Sequence, residues 1–223
     1  MKVKHLFKAL ITTLIFSAIL FTSAGRINYF QGWIFMATNV VTVFMNFLTI
    51  HNDAELMAER SKVGADAKLW DKIILGLSSL TYLTSIIVAG LDSGRYQSSP
   101  VFHWAVYAAG VALMLIGQII FLSARKENKF FSSVVRIQSD RGHSVCDTGI
   151  YRLVRHPGYM GMTLSLAAVP LLTGSVWSVI PIVGAIVLLF IRTYLEDETL
   201  KQELQGYTKY AQKIKRRLIP KIW

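Results

Sequence analysis

The chain has 223 residues, 53% of them hydrophobic and 17% charged, with a net charge of +11 and a mean hydropathy of +0.44. Soluble domains carry about 25% charged residues and disorder needs low hydrophobicity with high net charge, so neither class fits. The single cysteine, Cys146, excludes a disulfide scaffold.

Four apolar runs follow in order, at 9–24, 33–50, 73–91 and 101–124, and none contains Lys, Arg, Asp or Glu. A membrane-spanning helix needs about 20 mostly apolar residues, so each run predicts one such helix. Four soluble helices of this composition would have almost no polar face. The first run ends in Thr22-Ser23-Ala24, loosely a small-residue cleavage site. It exceeds the roughly 7–15 residues of a signal-peptide core, however, and reads as a retained anchor. A fifth block, 159–191, is interrupted by Pro170, Gly174 and Pro181. Proline and glycine near its middle predict a turn, hence two short helices, 160–172 and 176–192, packed as a hairpin.

The basic residues are sorted by segment. Lys2, Lys4 and Lys8 precede run one, and Arg60, Lys62, Lys68 and Lys72 lie between runs two and three. Seven lie between run four and the hairpin, and eight run from Arg192, at the hairpin's end, to Lys221; the remaining loops hold only Arg26 and Arg95. This positive-inside asymmetry predicts both termini and the 125–158 segment in the cytosol. It also explains the net charge without nucleic acid. The expected architecture is all-α and integral to the membrane: four transmembrane helices, a short helical hairpin and a cytosolic C-terminal amphipathic helix. That last helix is read from apolar positions Leu195, Leu200, Leu204, Tyr207, Ala211, Ile214 and Leu218, flanked by lysines and arginines. Residues 1–124 form a generic membrane part, and 125–223 collect the polar groups.

Two clusters in the second part carry chemistry. Arg155-His156-Pro157-Gly158-Tyr159 stands directly before the hairpin, with Pro157 suited to the first helical turn. Such residues also serve as plain interfacial anchors. Arg192 and Glu196 share a helix face at i,i+4 and are followed by Asp197 and Glu198. As a solvated ion pair they would contribute about 0.3–0.5 kcal/mol; as the end of an apolar helix they form a candidate site. There is no HExxH, P-loop or GxGxxG. His51 and His103 fall at opposite membrane faces and read as interfacial.

The stretch Gly149-Ile150-Tyr151 through Arg155-His156-Pro157-Gly158-Tyr159-Met160-Gly161, the hairpin, Arg192…Glu196-Asp197…Leu200 and Gly206-Tyr207…Tyr210…Ile219-Pro220 resembles the isoprenylcysteine carboxyl methyltransferase family. That family belongs to a wider group of integral-membrane methyltransferases that includes phospholipid methyltransferases. The resemblance covers about Asn128 to Trp223. Asp197 departs from the pattern, standing where the family usually has a second Glu.

The resemblance implies a site for S-adenosylmethionine (SAM). It would be lined by His143, Ser144, Val145, Cys146, Tyr151, Arg155, His156, Pro157, Gly158, Tyr159 and Glu196, with a further polar contact from Arg136 or Gln138. Arg192 would face the methyl acceptor and, with Glu196, carry catalysis. Tyrosine faces suit a sulfonium cation, and an arginine fork suits a carboxylate. The partners expected are the lipid bilayer and a lipophilic small-molecule or prenylated-peptide acceptor, with the site at the cytosolic face; no metal and no nucleic acid are implied, and no oligomeric state follows. Methylation of a lipid amine is the alternative and would need a base such as Glu196 or Glu198. A non-catalytic transporter or assembly protein is the alternative of another class. It is disfavoured because the early helices offer only Asn39, Asn46, Gln118, Ser and Thr as interior polar groups.

Overall fold

The computed structural model describes residues 2–50, 68–219 and 222–223, and among them every regular element is helical. In chain order these are α1 (Lys2–Ala24), α2 (Phe30–Ile50), α3 (Leu69–Ala89), α4 (Trp104–Glu127), α5 (Pro157–Thr173), α6 (Val179–Glu203) and the short α7 (Tyr207–Lys213). The four apolar runs fall on α1 to α4. Helix α1 begins earlier than expected, at Lys2, and a π-helical turn, Gly90–Tyr96, continues α3. Arg60, Lys62 and His51 lie outside the described residues, as do Pro220 and Lys221.

Among the described residues, five helical stretches are long and apolar enough to cross a membrane: Val3–Ala24, Phe30–Thr49, Leu69–Tyr96, Trp104–Glu127 and Val179–Glu203. The outward surfaces match that role. Phe7, Leu48, Leu80 and Ile180 are each more than half exposed, whereas Leu20, Tyr29, Phe35, Ile86 and Leu172 are packed in the centre. Helices that are apolar on both inner and outer faces suit lipid rather than water.

The hairpin differs from the sequence expectation. Its first arm starts at Pro157 and ends at Thr173, with Pro170 inside the helix and Gly174 as the left-handed cap at φ +64°. Its second arm does not stop at Arg192 but runs on through Glu203, about 37 Å at 1.5 Å per residue. The turn between the arms reaches the face where α1 joins α2. There the Thr173 carbonyl accepts from Tyr29 (3.1 Å) and Ser93 (2.6 Å). The buried Asp92 accepts from Ser99 and Ser175, both at 2.6 Å. The hairpin therefore traverses the bundle rather than dipping into it.

The tail also differs. Residues 195–203 belong to α6, and Gly206, at φ +86°, breaks the chain before the seven-residue α7. Leu204, Tyr207 and Tyr210 pack on Ile137, Val145 and Leu200. The apolar stripe read as membrane-facing thus covers the protein's own loop.

Helices α4 and α5 form the tightest pair. A Cβ on Gly161 would lie 2.4 Å from the Gly117 carbonyl oxygen, and one on Gly117 would lie 2.6 Å from the Gly161 carbonyl oxygen. This close approach sets the depth of α5 against α4. Gly161→Ala should destabilise the protein by about 1–3 kcal/mol through overpacking. Gly76→Ala, where an added Cβ meets nothing within 4 Å, should be neutral or slightly stabilising. Thermal unfolding of both variants in detergent checks the contrast; equal melting temperatures would contradict it.

Candidate active site

Helix α5 begins at Pro157, whose missing N–H costs nothing in a first turn. The two residues before it are held by backbone pairing to the tail: Arg155 N–H donates to Arg216 O at 2.9 Å and His156 N–H to Arg217 O at 2.8 Å. Arg155 Nη1 donates to Ile214 O at 2.7 Å. The tail is thereby folded back over the start of α5.

Asp197 on α6 closes this arrangement. It is fully buried and accepts from Arg155 Nε (2.7 Å) and Nη2 (2.8 Å), Arg217 Nε (2.9 Å) and Tyr207 Oη (2.9 Å). Lys201 Nζ is 3.1 Å away and His156 Nε2 3.3 Å. Burial, together with the Asp197 charge, holds the Tyr207 phenol well above its ordinary range, so it stays a donor. Arg155 and His156, expected as ligand contacts, thus spend their polar atoms largely on Asp197, Tyr207 and the tail.

These contacts frame a cleft. Its wall includes His143, Ser144, Val145, Cys146, Tyr151, Arg155, His156, Gly158, Tyr159 and Glu196, together with Asn128, Phe130, Phe131, Arg136, Leu200, Leu204, Tyr207 and Tyr210. Tyr159 stacks on His156 with ring centres 5.8 Å apart, and its hydroxyl donates to Glu196. Gly158 is required by close approach, since a Cβ there would lie 2.7 Å from the Phe131 ring. Tyr210 donates to the Tyr151 carbonyl at 2.7 Å. His143 accepts at Nδ1 from Gln138 N–H (3.3 Å). Burial first, then the cations of Arg136 and Arg141, lower its pKa and favour the neutral ring. Burial pushes the Cys146 thiol up, so it is not a thiolate nucleophile.

Three predicted residues lie elsewhere. Gln138 is not on the cleft wall: it is fully buried, donates to Phe130 O at 2.7 Å and accepts from Arg141 at 2.5 Å, bracing the loop. Of the two residues open for that position, Arg136 is the one on the wall. Pro157 starts α5 and is also absent from the wall. Arg192 faces a second space, a cavity of about 560 Å³ among α1 to α6. Its partner is not Glu196 but Asp71: Nε donates to Asp71 Oδ1 at 2.7 Å, and Nη2 reaches Asp71 Oδ2 at 3.4 Å and Ser133 O at 3.0 Å. Asp71 is fully buried and also accepts from Val135 N–H at 2.8 Å. Nη1 makes no hydrogen bond among the described residues.

Sequence reasoning missed Asp71, whose signal was a carboxylate just before an apolar run, and missed Tyr207, Arg217 and the aromatic loop 130–131. Phe131, Ser132 and Tyr159 belong to both walls. A thin partition therefore separates a polar cleft from an apolar cavity, with Arg192 5.2 Å from the Tyr159 ring centre.

Asp197→Asn should cost about 3–5 kcal/mol, because the buried Arg155 would be left without a counter-charge, while Arg217 and Lys201 keep Glu198. The expected signs are a lowered melting temperature and faster proteolysis after Leu204. Unchanged melting and proteolysis would show that the tail is held by other contacts.

Comparison with known proteins points to the same region. The phospholipid methyltransferase family matches residues 105–205, which begins earlier than the sequence resemblance, within α4, and ends before the tail. The probable protein-S-isoprenylcysteine O-methyltransferase of Oryza sativa subsp. japonica is 27% identical over 115 residues, covering 50% of this chain and 60% of that protein. In Arabidopsis thaliana, protein-S-isoprenylcysteine O-methyltransferase A is 35% identical over 89 residues, covering 40% of this chain and 41% of the relative. Its counterpart B is 24% identical over 182 residues, covering 77% and 88%. On these matches the chain is similar to the isoprenylcysteine and phospholipid methyltransferases, chiefly over its C-terminal half, and it spans about 60% of the length of the Oryza relative.

Proposed function

We propose that the protein is a SAM-dependent methyltransferase that esterifies the carboxylate of a lipophilic, prenylcysteine-like acceptor. The observation that carries this reading is the shared partition: Tyr159, Phe131 and Ser132 border both the polar cleft and the 560 Å³ apolar cavity. A water-soluble donor and a membrane-dissolved acceptor need such a pair of chambers with one contact point.

The cleft suits SAM by its chemistry. Tyr151 and Tyr159 offer aromatic faces to a cation. Glu196, which accepts from the Tyr159 hydroxyl, is placed for an ammonium or ribose hydroxyls. SAM supplies an electrophilic methyl whose bond to sulfur breaks as the acceptor oxygen bonds to carbon, the electron pair passing to sulfur. The cleft has about 100 Å³ of internal space and is partly open to solvent, so SAM would lie partly at its mouth.

On the other side, Arg192 holds the acceptor. Asp71 occupies Nε and fixes the guanidinium plane, which leaves Nη1 for an incoming carboxylate oxygen. An α-carboxyl group has a pKa of about 3.3–3.7 and is ionised at neutral pH, so no general base is needed and alignment supplies the rate. Methylation of a phospholipid amine remains the second reading, favoured by the name of the matching family.

We also place the face bearing the α4–α5 loop and the tail in the cytosol, from the positive-inside asymmetry. With Cys146 replaced by serine, a cysteine at Ser98 should be labelled by an impermeant maleimide in intact cells, and one at Lys213 only after permeabilisation. The opposite pattern would invert the orientation.

Arg192→Lys keeps the charge but lacks the rigid planar fork that spans Asp71 and a carboxylate. Losing one charge-assisted hydrogen bond of about 1.5–3 kcal/mol predicts a 10- to 150-fold fall in kcat/KM with SAM affinity unchanged. Glu196→Gln should do the reverse, raising the SAM Kd about tenfold. Turnover and SAM binding measured on both variants separate the readings. An Arg192→Lys enzyme with full activity would exclude carboxylate capture, and a Glu196→Gln optimum shifted in pH would favour the amine.

A further inference from the structure

The large cavity is not uniformly apolar. Asn39, Thr42, Ser79 and Gln118 all lie on its wall. The first three are satisfied within their own helices: Asn39 donates to Phe35 O, Thr42 to Asn39 O and Ser79 to Leu75 O, each at 2.8 Å. Gln118 is the exception. Its Nε2 is buried and has no hydrogen-bond partner among the described residues. An amide left unpaired at membrane depth is costly. A long polar side chain kept in that state, facing a cavity of ligand size, has its partner in the ligand.

We infer that Gln118 reads an oxygen placed part-way along the acceptor's apolar chain, so that the acceptor is an oxygen-bearing lipid carboxylate rather than a plain hydrocarbon prenyl chain. This rests on the acceptor site proposed above and narrows its ligand. The helix packing sets the position of the oxygen. Gly117, the neighbour of Gln118, meets α5 between Gly161 and Ser165: its Cβ position is 2.6 Å from Gly161 O and 2.7 Å from Ser165 Oγ. That level is two to six residues along α5 from Tyr159, or about 3–9 Å at 1.5 Å per residue. The oxygen therefore sits within about 3–9 Å of the reacting end. A site built to hydrogen-bond a ligand group rejects the analogue lacking it more strongly than an apolar pocket rejects a change in shape.

The test uses the full chain in lipid nanodiscs and three carboxylate lipids of equal length. One has a hydrocarbon chain (an S-farnesylcysteine analogue), one an ether oxygen within about 3–9 Å of the carboxylate, and one an ether oxygen at the far end. Binding is read by displacement of a fluorescent fatty acid, and methyl transfer by label from SAM. The wild type should bind the mid-chain ether at least tenfold tighter than the other two, and Gln118→Leu should abolish that preference. Absence of discrimination in the wild type, or a preference that survives Gln118→Leu, overturns the inference without requiring the variant to fold well. Methyl transfer to all three lipids alike overturns it while leaving the methyltransferase reading intact. Selective binding that is lost in Gln118→Leu, with no methyl transfer to any lipid, supports the inference and removes the proposed reaction instead.

Discussion

The carboxylate of Asp197 is the point on which the loop side of the molecule depends. It sits fully buried on α6 and gathers Arg155 from the approach to α5, Arg217 from the tail and Tyr207 from α7. A charge taken out of water is tolerated only when it is paired and hydrogen-bonded, and here several elements supply the pairing together. Remove the carboxylate and the buried Arg155 is left without a counter-charge. The tail is held against Arg155 and His156, and the wall formed by Tyr207 and Tyr210 stays over the cleft.

A second ion pair does similar work one layer deeper. Arg192 and Asp71, 2.7 Å apart at Nε and Oδ1, link α6 to the first turn of α3 and sit where the apolar cavity meets the loop. The two pairs lie on one helix, five residues apart, and face different chambers. Tyr159 stands between them, donating to Glu196 on the cleft side while Arg192 lies over its ring. The close contact of Gly117 with Gly161 sets the depth of α5 and so places this partition. The proposed transfer from one chamber to the other follows from that geometry.

Much of the bundle was legible because apolar runs without charges have few alternatives to a membrane helix. Arg155, His156, Tyr159 and Glu196 stood out as polar groups at the ends of such runs, and the cleft brings them together. What was not legible was long-range pairing. Arg192 looked like a helix end because a cation commonly closes a membrane helix; Asp71, distant in sequence, neutralises it and α6 continues to Glu203. The tail looked amphipathic because it is, but its apolar side covers Ile137 and Val145, and Gly206 turns it inward. Gln138 and Arg155 were read as cofactor contacts, but spacing alone cannot separate a residue that braces a loop, as Gln138 does, from one that touches a ligand.

The central claim is that an oxygen of a lipid carboxylate, held on the cavity side of the Tyr159 partition, receives the methyl group. It is tested most directly by the chemical form of the product. Purified protein in nanodiscs would be given methyl-tritiated SAM and S-farnesylcysteine analogues with and without a chain oxygen, and the extracted lipid treated with alkali. A carboxyl methyl ester releases its label as volatile methanol, and the account predicts that the counts are volatile. Lipid-bound counts that survive alkali would mark methylation at nitrogen and contradict it.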